Sequence, residues 1–407
     1  MAERSRARAL LDEITVLRRV QEQYRPAESI ASPAVTLGGQ ANPLSAQAIQ
    51  SEIPADVVIL EYSVSDSGTY IFALNRGGLK VARSDVDTNA ITRLVNEYVS
   101  EIKSKAPVDD LATVARRLDD YLISPVKNFI SESRYLCIVP DKALHFLPFA
   151  SLIDGSGKFL IERHIVSYSP SATVFIESQK ERLRSKNSES PESIVAIGDP
   201  DFRRSDILQL RPLESAEQEA RTIAQLYDAA TSKLLTRGDA TKAAFRSALA
   251  KCDVAHLALH CIVDEESPWL AALVLAPDKD GQPSGIGNSR DDSLLHLSEI
   301  YDFNLPRTRL VVLSACQSAL GQYYRGEGVV SLVHPFMAAH VPTVVATLWS
   351  VESNPTADLM VQFHRMRKLK PESTADALRD AQIQMARSDQ YKHPYYWAPF
   401  ILVGSHW

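Results

Sequence analysis

The sequence predicts an α/β protein built on a mostly parallel sheet that is flanked by helices. Three observations support this fold class. In the second half of the chain, short apolar segments alternate with segments of helical periodicity, which is the pattern of a parallel sheet. The first half opens with three short β segments and continues with two helical ones. The 407 residues, of which 45% are hydrophobic and 23% charged, suffice to bury a large core.

The first 54 residues are expected to form a helix and a connector. Residues 3–24 carry apolar side chains along one helical stripe. Residues 26–54 are rich in Pro, Ser, Ala, Gln and Gly, which favours an extended connector. The charged first residues lack the apolar core of a signal peptide, and no apolar run approaches the roughly 18 residues of a membrane span. We therefore expect a soluble, cytoplasmic protein that does not enter a membrane.

Residues 55–190 are predicted to form the first half of the fold. The segments DVVILEYSV, TYIFALN and LKVARSD are separated by Gly-containing turns, which predicts a three-stranded meander. Helices are expected to follow at 88–104, 108–131 and 172–184. Between the last two, a strand is expected at 135–140 and apolar segments at 144–152 and 161–170. The polar segment RSKNSESPES contains a proline and no apolar residue, so it is the predicted boundary between the halves.

Residues 191–407 are predicted to form the second half, in which strand and helix alternate. Strands are predicted at 193–200, 233–237, 253–260, 310–315, 343–349 and 400–404. Helices are predicted at 214–227, 240–250, 328–340, 354–369 and 373–387. The long polar segment from Pro277 to Ser293 is the expected mobile loop, linked to activation.

Polar residues at the ends of these strands are the candidates for chemistry, because ligands of open α/β sheets bind beyond the carboxyl ends of the strands. This rule selects Asp199, His260 and Cys316. A cysteine and a histidine on neighbouring strands could form a nucleophile and general base, with backbone N–H groups holding an oxyanion. Taken singly, a cysteine after an apolar strand is more often a buried core residue. A lone histidine is more often a partly buried side chain whose ring nitrogens form hydrogen bonds within the protein.

Composition and motifs exclude several other classes of function. The net charge of −6 excludes a generally basic nucleic-acid binder. The four cysteines form no C-x-x-C pair, so we expect reduced thiols, with Cys137 and Cys252 in the core or at strand edges and Cys261 an inert thiol. Walker, G-x-G-x-x-G and G-x-S-x-G motifs are absent from the sequence, which argues against a nucleotide binder or a serine hydrolase. No cofactor is expected.

Two further patterns in the sequence could form sites. His256 and His260 are four residues apart, but on a strand and without a third ligand they make a poor zinc site, so no metal is expected and His256 is predicted to support the core. The run Asp264-Glu265-Glu266 could select a basic substrate residue, or it is a solvated loop. Glu327 lies in a predicted turn before a helix, where it could shape the site or simply start the helix.

Several segments of the chain resemble the CHAT domain, a family of caspase-like cysteine peptidases that is grouped with caspases, separase and gingipains. The segments, in order, are IVPDKALHFLPFASL, VAIGDPDF, HLALHC, RLVVLSACQSALG, RGEGVVSLVHPFMAAHVPTVVATLWSVES and HPYYWAPFILVG. The resemblance covers the chain from about residue 55 to its end. It implies a caspase-like α/β fold, with a degenerate caspase-like half at 55–190 and a catalytic half at 191–407, after the helix and connector of 1–54.

The resemblance also implies roles for single residues. His260 matches the family's general base and Cys316, in the S-A-C motif, its nucleophile. The backbone N–H groups of Cys261 and Cys316 would form the oxyanion hole. The family usually has glycine where Cys261 stands, and a positive φ would cost a cysteine energy there. The candidates for substrate binding are Asp264, Glu327, Trp349 and Glu352, of which the acidic residues favour Arg or Lys before the scissile bond.

The function implied is that of a CHAT-type cysteine endopeptidase, which cleaves a protein substrate through a Cys–His dyad and a thioester intermediate. We expect a single-chain enzyme in a bacterial regulatory or defence pathway, controlled by a ligand or by a regulatory or sensor protein that docks on the amino-terminal helix. No direct contact with nucleic acid or membrane is expected. The alternative is a catalytically inactive CHAT-fold module for interaction or signalling. The φ angle of Cys261 and the Cys316–His260 distance would distinguish the two.

Overall fold

The structure, a computed structural model, describes residues 43–185, 191–201, 213–262, 271–277, 293–314, 323–324, 328–329, 333–369 and 373–405. The predicted helix at 3–24 and much of the predicted loop at 277–293 lie outside these residues. In the first half the elements are α1 (Ala46–Glu52), β1 (Val57–Ser65), β2 (Gly68–Asn75), β3 (Gly78–Ser84), α2 (Thr88–Lys103), α3 (Val108–Leu122), α4 (Lys127–Ile130), β4 (Tyr135–Val139), α5 (Leu160–Arg163), β5 (Ile165–Tyr168) and α6 (Ala172–Ser185).

The second half continues the alternation of strands and helices. Its elements are β6 (Ile194–Pro200), α7 (Glu214–Ala224), β7 (Ser232–Arg237), α8 (Lys242–Leu249), β8 (Val254–Ala258), β9 (Cys261–Ile262), β10 (Ala272–Val274), β11 (Leu294–His296), α9 (Leu297–Tyr301), β12 (Leu310–Leu313), β13 (Tyr323–Tyr324), β14 (Gly328–Val329), α10 (Val333–Ala338), β15 (Thr343–Thr347), α11 (Ser353–Leu369), α12 (Thr374–Ala386), α13 (Pro394–Trp397) and β16 (Phe400–Gly404). None of the helices in the described ranges is long and apolar enough to span a membrane.

One sheet of eleven strands runs through both halves, in the order β3-β2-β1-β4-β5-β16-β15-β12-β8-β6-β7. Strands β1, β4, β5 and β16 are mutually parallel, and so are β15, β12, β8, β6 and β7. The two sets meet where β16 pairs antiparallel with β15. The carboxyl ends of the parallel strands in the two halves therefore lie at opposite edges of the sheet.

The central strands of the second half are buried along their whole length. Strands β8, β12 and β15 read VAHLA, LVVL and TVVAT, and each of their residues is buried. Such continuous apolar runs form strands that are covered on both faces, as in other parallel sheets. Helix α7 lies so close to β6 that a Cβ atom on Gly198 would be 2.2 Å from the carbonyl oxygen of Ala216. The sheet is thus a rigid support for whatever follows its strand ends.

The predicted meander is confirmed, with β1 and β2 and then β2 and β3 paired antiparallel. Three other predictions are wrong, of which the first two concern the connector at 26–54 and the helix at 108–131. The connector predicted to be extended contains α1, which starts because the Ser45 hydroxyl accepts a hydrogen bond from the Ala48 N–H. The helix predicted at 108–131 ends at Leu122, and a 3₁₀ turn with Pro125 near its start separates it from α4. The apolar segment at 144–152 forms 3₁₀ turns on either side of Pro148.

The third wrong prediction is the helix at 328–340. Gly328 and Val329 pair instead with Tyr323 and Tyr324 as a short hairpin, and the described helix begins at Val333. Strand β8 also ends two residues earlier than predicted, at Ala258. His260 consequently lies beyond the strand and is not held in the strict alternation of side chains that a strand imposes.

A buried carboxylate lies in the first half. Asp119 of α3 is 3% exposed, and its Oδ2 accepts a hydrogen bond of 3.1 Å from Ser124. Its Oδ1 has no hydrogen-bond partner, although the side chain borders a cavity of about 300 Å³ that Asp154 and Arg163 also line. Burial raises the pKa of Asp119 to about 6, since the low-dielectric surroundings disfavour the charged form. Ionised Asp119 therefore destabilises the fold.

Replacing Asp119 with asparagine is expected to stabilise the protein at neutral pH. The pKa of Asp119 is higher in the folded state than in the unfolded state, so the stability of the wild type falls as the pH rises from about 4 to about 6. The variant has no carboxyl group at this position and therefore does not lose stability in this way. Above pH 6 the variant should be about 1–3 kcal/mol more stable than the wild type, and at pH 4 the difference should vanish. Denaturant unfolding at pH 4, 6 and 8 measures this. Asp120→Asn, at the exposed neighbouring position, is the control; a gain that does not change with pH would contradict the assignment.

Candidate functional site

Strands β8 and β12 are neighbours in the sheet and run parallel, with Leu257 opposite Leu313 in the last pair. His260 follows β8 and is half-buried. Its backbone carbonyl accepts a hydrogen bond of 2.9 Å from the Val274 N–H, which ties the residue to β10. Cys316 lies outside the described residues, two positions after the described Ser314. The structure therefore describes His260 and the strand that precedes Cys316.

The backbone at Cys261 is extended, because the residue lies in β9 and is not among the non-glycine residues with positive φ. In the β9–β10 ladder Cys261 faces Leu273. The bond from Val274 to the carbonyl of His260 makes this a non-hydrogen-bonded pair, so the Cys261 N–H points away from β10. The strain expected of a cysteine at a positive φ does not arise here. The thiol is half-buried, with Sγ 3.8 Å from the Ile262 carbonyl.

The other two described cysteines lie in the core, as predicted. Cys137 is in β4 and Cys252 precedes β8, and both are buried. Burial raises the pKa of the Cys252 thiol to about 12, which makes it a poor nucleophile. Asp199, at the end of β6, has a structural role. Its φ is 45°, and its Oδ1 accepts a hydrogen bond of 2.7 Å from the Leu213 N–H next to the start of α7.

Of the four candidates for substrate binding, Asp264 and Glu327 lie outside the described residues. Trp349 is 2% exposed, and its Nε1–H donates to the carbonyl of Tyr395 at 3.2 Å. Glu352 is exposed and follows β15, at the same edge of the sheet as His260. It lines a cavity of about 490 Å³, together with Ser215, Ser353, Asn354, Pro355, Gln390, Tyr391 and Tyr396.

A lysine from the first half binds Glu352 at this cavity. Lys105 Nζ donates to the Glu352 carboxylate and, at 3.0 Å, to the Tyr396 hydroxyl. The ammonium lies 4.5 Å from the ring centre of Tyr395 and 4.8 Å from that of Tyr396, within cation–π range. The hydrogen bond to Glu352 raises the pKa of Lys105 above its ordinary value. The site thus shows how a carboxylate and two tyrosines hold a primary ammonium.

A line of buried polar side chains runs from the end of β12 through the interior. Glu219 of α7 is 3% exposed, and its Oε1 accepts hydrogen bonds from the Ser314 hydroxyl at 2.7 Å and from His256 Nε2 at 2.8 Å. His256 Nδ1 lies 3.2 Å from Nε2 of His364 on α11. His256 is buried, as predicted, and both its ring nitrogens are engaged. Among the described residues no group of three His, Cys, Asp or Glu side chains could hold a metal ion.

The line continues to the far side of the molecule. His364 Nδ1 is 3.0 Å from the Tyr227 hydroxyl, which accepts a hydrogen bond of 3.3 Å from Arg367 Nη1. Arg367 also binds both carboxylate oxygens of Glu192, each at 2.6 Å. Burial lowers the pKa of His364 well below its ordinary value and raises that of Tyr227 to about 12. Burial alone would raise the pKa of Glu192, but the Arg367 guanidinium brings it below its ordinary value. We call these seven residues the buried polar line, of which the two ends, Ser314 and Glu192, are half-buried: Ser314, Glu219, His256, His364, Tyr227, Arg367 and Glu192.

A profile of the CHAT domain matches residues 112–405. The chain belongs to the CHAT domain family. Tetratricopeptide repeat protein 28 of Homo sapiens is 29% identical over 71% of this CHAT chain, and the Mus musculus protein of that name is also 29% identical over 71%. The match covers 13% of each of those proteins, so the CHAT chain spans a small part of the curated relatives it matches.

Solved structures show the fold of the CHAT chain. Separase in the Saccharomyces cerevisiae separase–securin complex superposes with a TM-score of 0.58 at 9% identity, over 88% of this chain and 30% of separase. A second crystal structure of that complex gives 0.55 at 10% identity, with the same coverage. The predicted membership of the CHAT family and the predicted caspase-like α/β fold, with its large and mostly parallel sheet, are confirmed.

Proposed function

We propose that this CHAT domain is a cysteine endopeptidase with His260 and Cys316 as its dyad. The observation that carries the proposal is the register of β8 and β12. His260 comes three residues after Leu257, and Cys316 comes three residues after Leu313, the partner of Leu257 in the last pair. Neighbouring strands lie about 4.8 Å apart. Because the ladder ends on this pair, the segments that follow β8 and β12 begin at the same level of the sheet. His260 and Cys316 are each three residues beyond that point.

The proposed reaction follows the usual course of a Cys–His pair. His260 takes the proton of the Cys316 thiol, and the thiolate attacks the carbonyl carbon of the scissile peptide bond. The carbon–nitrogen bond then breaks, and His260 gives its proton to the leaving amine. Water hydrolyses the thioester that remains on Cys316. The N–H groups of Cys261 and Cys316 are the proposed oxyanion donors, and the extended backbone of Cys261 supports this role because it presents its N–H away from β10.

We propose a basic side chain, Lys or Arg, for the substrate residue before the scissile bond. The cavity beside Glu352 lies at the edge where His260 lies, and Lys105 shows that its carboxylate and tyrosines fit an ammonium. A substrate cation would compete with Lys105 for Glu352. Asp264 and Glu327 remain proposed contributors to the same preference. Trp349, being buried, would act on the cavity by holding Tyr395.

Control by a protein partner is part of the proposal. One structural neighbour is separase in a complex with securin, and the curated relatives are repeat proteins, so both kinds of comparison support interactions between proteins. The segment 3–24 is the proposed docking element for a regulatory or sensor protein. A cytoplasmic location is proposed from the sequence. A setting in bacterial defence rests on the sequence resemblance alone, because the curated relatives described above are human and mouse proteins.

Labelling by a peptidyl electrophile with Arg or Lys at its tip tests the proposed function. Mass spectrometry should find the label on Cys316, and Cys316→Ala and His260→Ala should each abolish it. A probe with Leu at its tip should label more slowly. Lys105→Ala should raise the rate with the basic probes by up to about fivefold, the range of a surface ion pair. If Cys316 reacts no faster than a free thiol, and His260→Ala changes nothing, the chain is instead an inactive interaction module.

A further inference from the structure

The strands that lead to the two dyad residues share one buried carboxylate. The Ser314 hydroxyl, at the end of β12, and the His256 ring, in β8, both donate to Oε1 of Glu219. Ser314 is two residues before Cys316, and His256 is four residues before His260. Helix α7 therefore connects the middle of β8 and the end of β12 through a single atom.

The hydrogen bonds of the buried polar line have only one direction that satisfies each member. Arg367 can only donate, so the Tyr227 oxygen accepts from it and the Tyr227 hydroxyl donates to His364 Nδ1. His364 Nε2–H then donates to His256 Nδ1, and His256 Nε2–H donates to Glu219. The reverse direction would turn an unprotonated His256 Nε2 toward the Glu219 carboxylate and would leave the Tyr227 hydroxyl proton without an acceptor in the line. The network thus favours the tautomer that carries its hydrogen on Nε2 for both imidazoles.

The satisfaction of these groups makes the line rigid. A buried polar group that loses its hydrogen-bond partner destabilises the fold, so the rotation of any one side chain is opposed. The imidazoles of His256 and His364 meet edge to face, with ring centres 5.1 Å apart, and both are fully buried. The end of the line opposite Ser314 is held by the bidentate ion pair of Arg367 with Glu192. Ser314 is the end of the line that lies next to the proposed nucleophile.

We infer that Glu219, His256 and Ser314 are positioning residues, through which the buried polar line holds the ends of β8 and β12 at the spacing that lets His260 activate Cys316. The inference rests on the proposed function. None of the three touches the reacting atoms in this proposal; they act through the strand ends. Loss of the Ser314 hydroxyl would free the segment that carries Cys316 without removing either dyad residue.

The test is the pH profile of Cys316 alkylation by iodoacetamide, followed by mass spectrometry of the peptide that contains Cys316. In the wild type the midpoint should lie at least one pH unit below the roughly 8.5 of a free cysteine. Ser314→Ala should move the midpoint up by about one unit and lower the rate at pH 7 about tenfold, while its thermal unfolding stays near that of the wild type. Ser314→Thr keeps the hydroxyl and should restore most of the shift. Glu219→Ala should behave like Ser314→Ala.

Glu217→Gln is the matched control, since Glu217 lies on the same helix but pairs with Arg221 and Arg237 at the surface. Its alkylation profile should equal that of the wild type. A wild-type profile in Ser314→Ala would overturn the inference and leave the dyad standing, provided that His260→Ala raises the midpoint. A wild-type midpoint near 8.5 that His260→Ala does not change would overturn the proposed function and the inference together.

Discussion

Replacing Arg367 with methionine is expected to lower the free energy of unfolding by about 3–5 kcal/mol, the cost of removing one partner of a buried ion pair. Arg367 is buried in α11 and makes two hydrogen bonds of 2.6 Å to Glu192 and one to Tyr227. Methionine fills a similar volume without a charge. Glu192 would stay largely buried, with Arg309 at 3.2 Å as its remaining cation. Equilibrium unfolding in urea measures the loss.

Two companion variants separate the buried pair from the loss of a positive charge in general. Arg221→Met removes a surface contact with Glu217, one helical turn away, and should cost about 0.5 kcal/mol or less. The double variant Arg367→Met, Glu192→Met removes both charges, so it should cost less than the sum of the two single changes. A loss below about 1 kcal/mol in Arg367→Met would show that the pair contributes little to stability.

Replacing Gly198 with alanine is expected to cost about 3 kcal/mol, at the upper end of the usual range for overpacking. The new Cβ atom would lie 2.2 Å from the Ala216 carbonyl oxygen and 2.8 Å from Cβ of Ala220. Both atoms belong to α7, and a helix backbone cannot yield as a flexible side chain does. The helix must move away from β6, and Glu219 moves with it. Urea unfolding should show the loss of stability.

Gly155→Ala is the matched control for this change. A Cβ atom at Gly155 would meet nothing within 4 Å, and the residue does not require a positive φ. Its stability should stay within about 0.5 kcal/mol of the wild type. Equal stability of Gly198→Ala and Gly155→Ala would contradict the close packing of α7 on β6.

The strands were predictable because their patterns are local. Strand β16 was predicted at its observed bounds, and the meander of β1 to β3 followed from glycine turns between β segments. The break after Leu122 was missed although Pro125 was visible, since apolar residues continue at helical spacing on both sides of it. Helix α1 was missed because a compositional bias toward Pro and Ser outweighed the cap at Ser45. Local rules fail where one residue decides the ending or start of an element.

The dyad candidates were found from strand ends, but the buried polar line was not. Its contacts join Glu219 to His256 and His256 to His364, which are 37 and 108 positions apart. Pairings at such separations leave no local pattern. One signal was available: Glu219 lies among Ala216, Ala220 and Ile223, which form the apolar stripe of α7. A carboxylate on the buried face of a helix needs an interior partner, which should prompt a search for buried histidines.

The place of β16 has a consequence for biosynthesis. It is the last strand of the sheet along the chain, yet it lies between β5 and β15 in its middle. While the chain is being made, β5 and β15 have no neighbour on their facing sides. Unpaired edges of this kind recruit strands from other molecules. Until residues 400–404 are synthesised, the nascent protein therefore exposes two unpaired strand edges. A chain whose synthesis stops before Phe400 would be prone to aggregate.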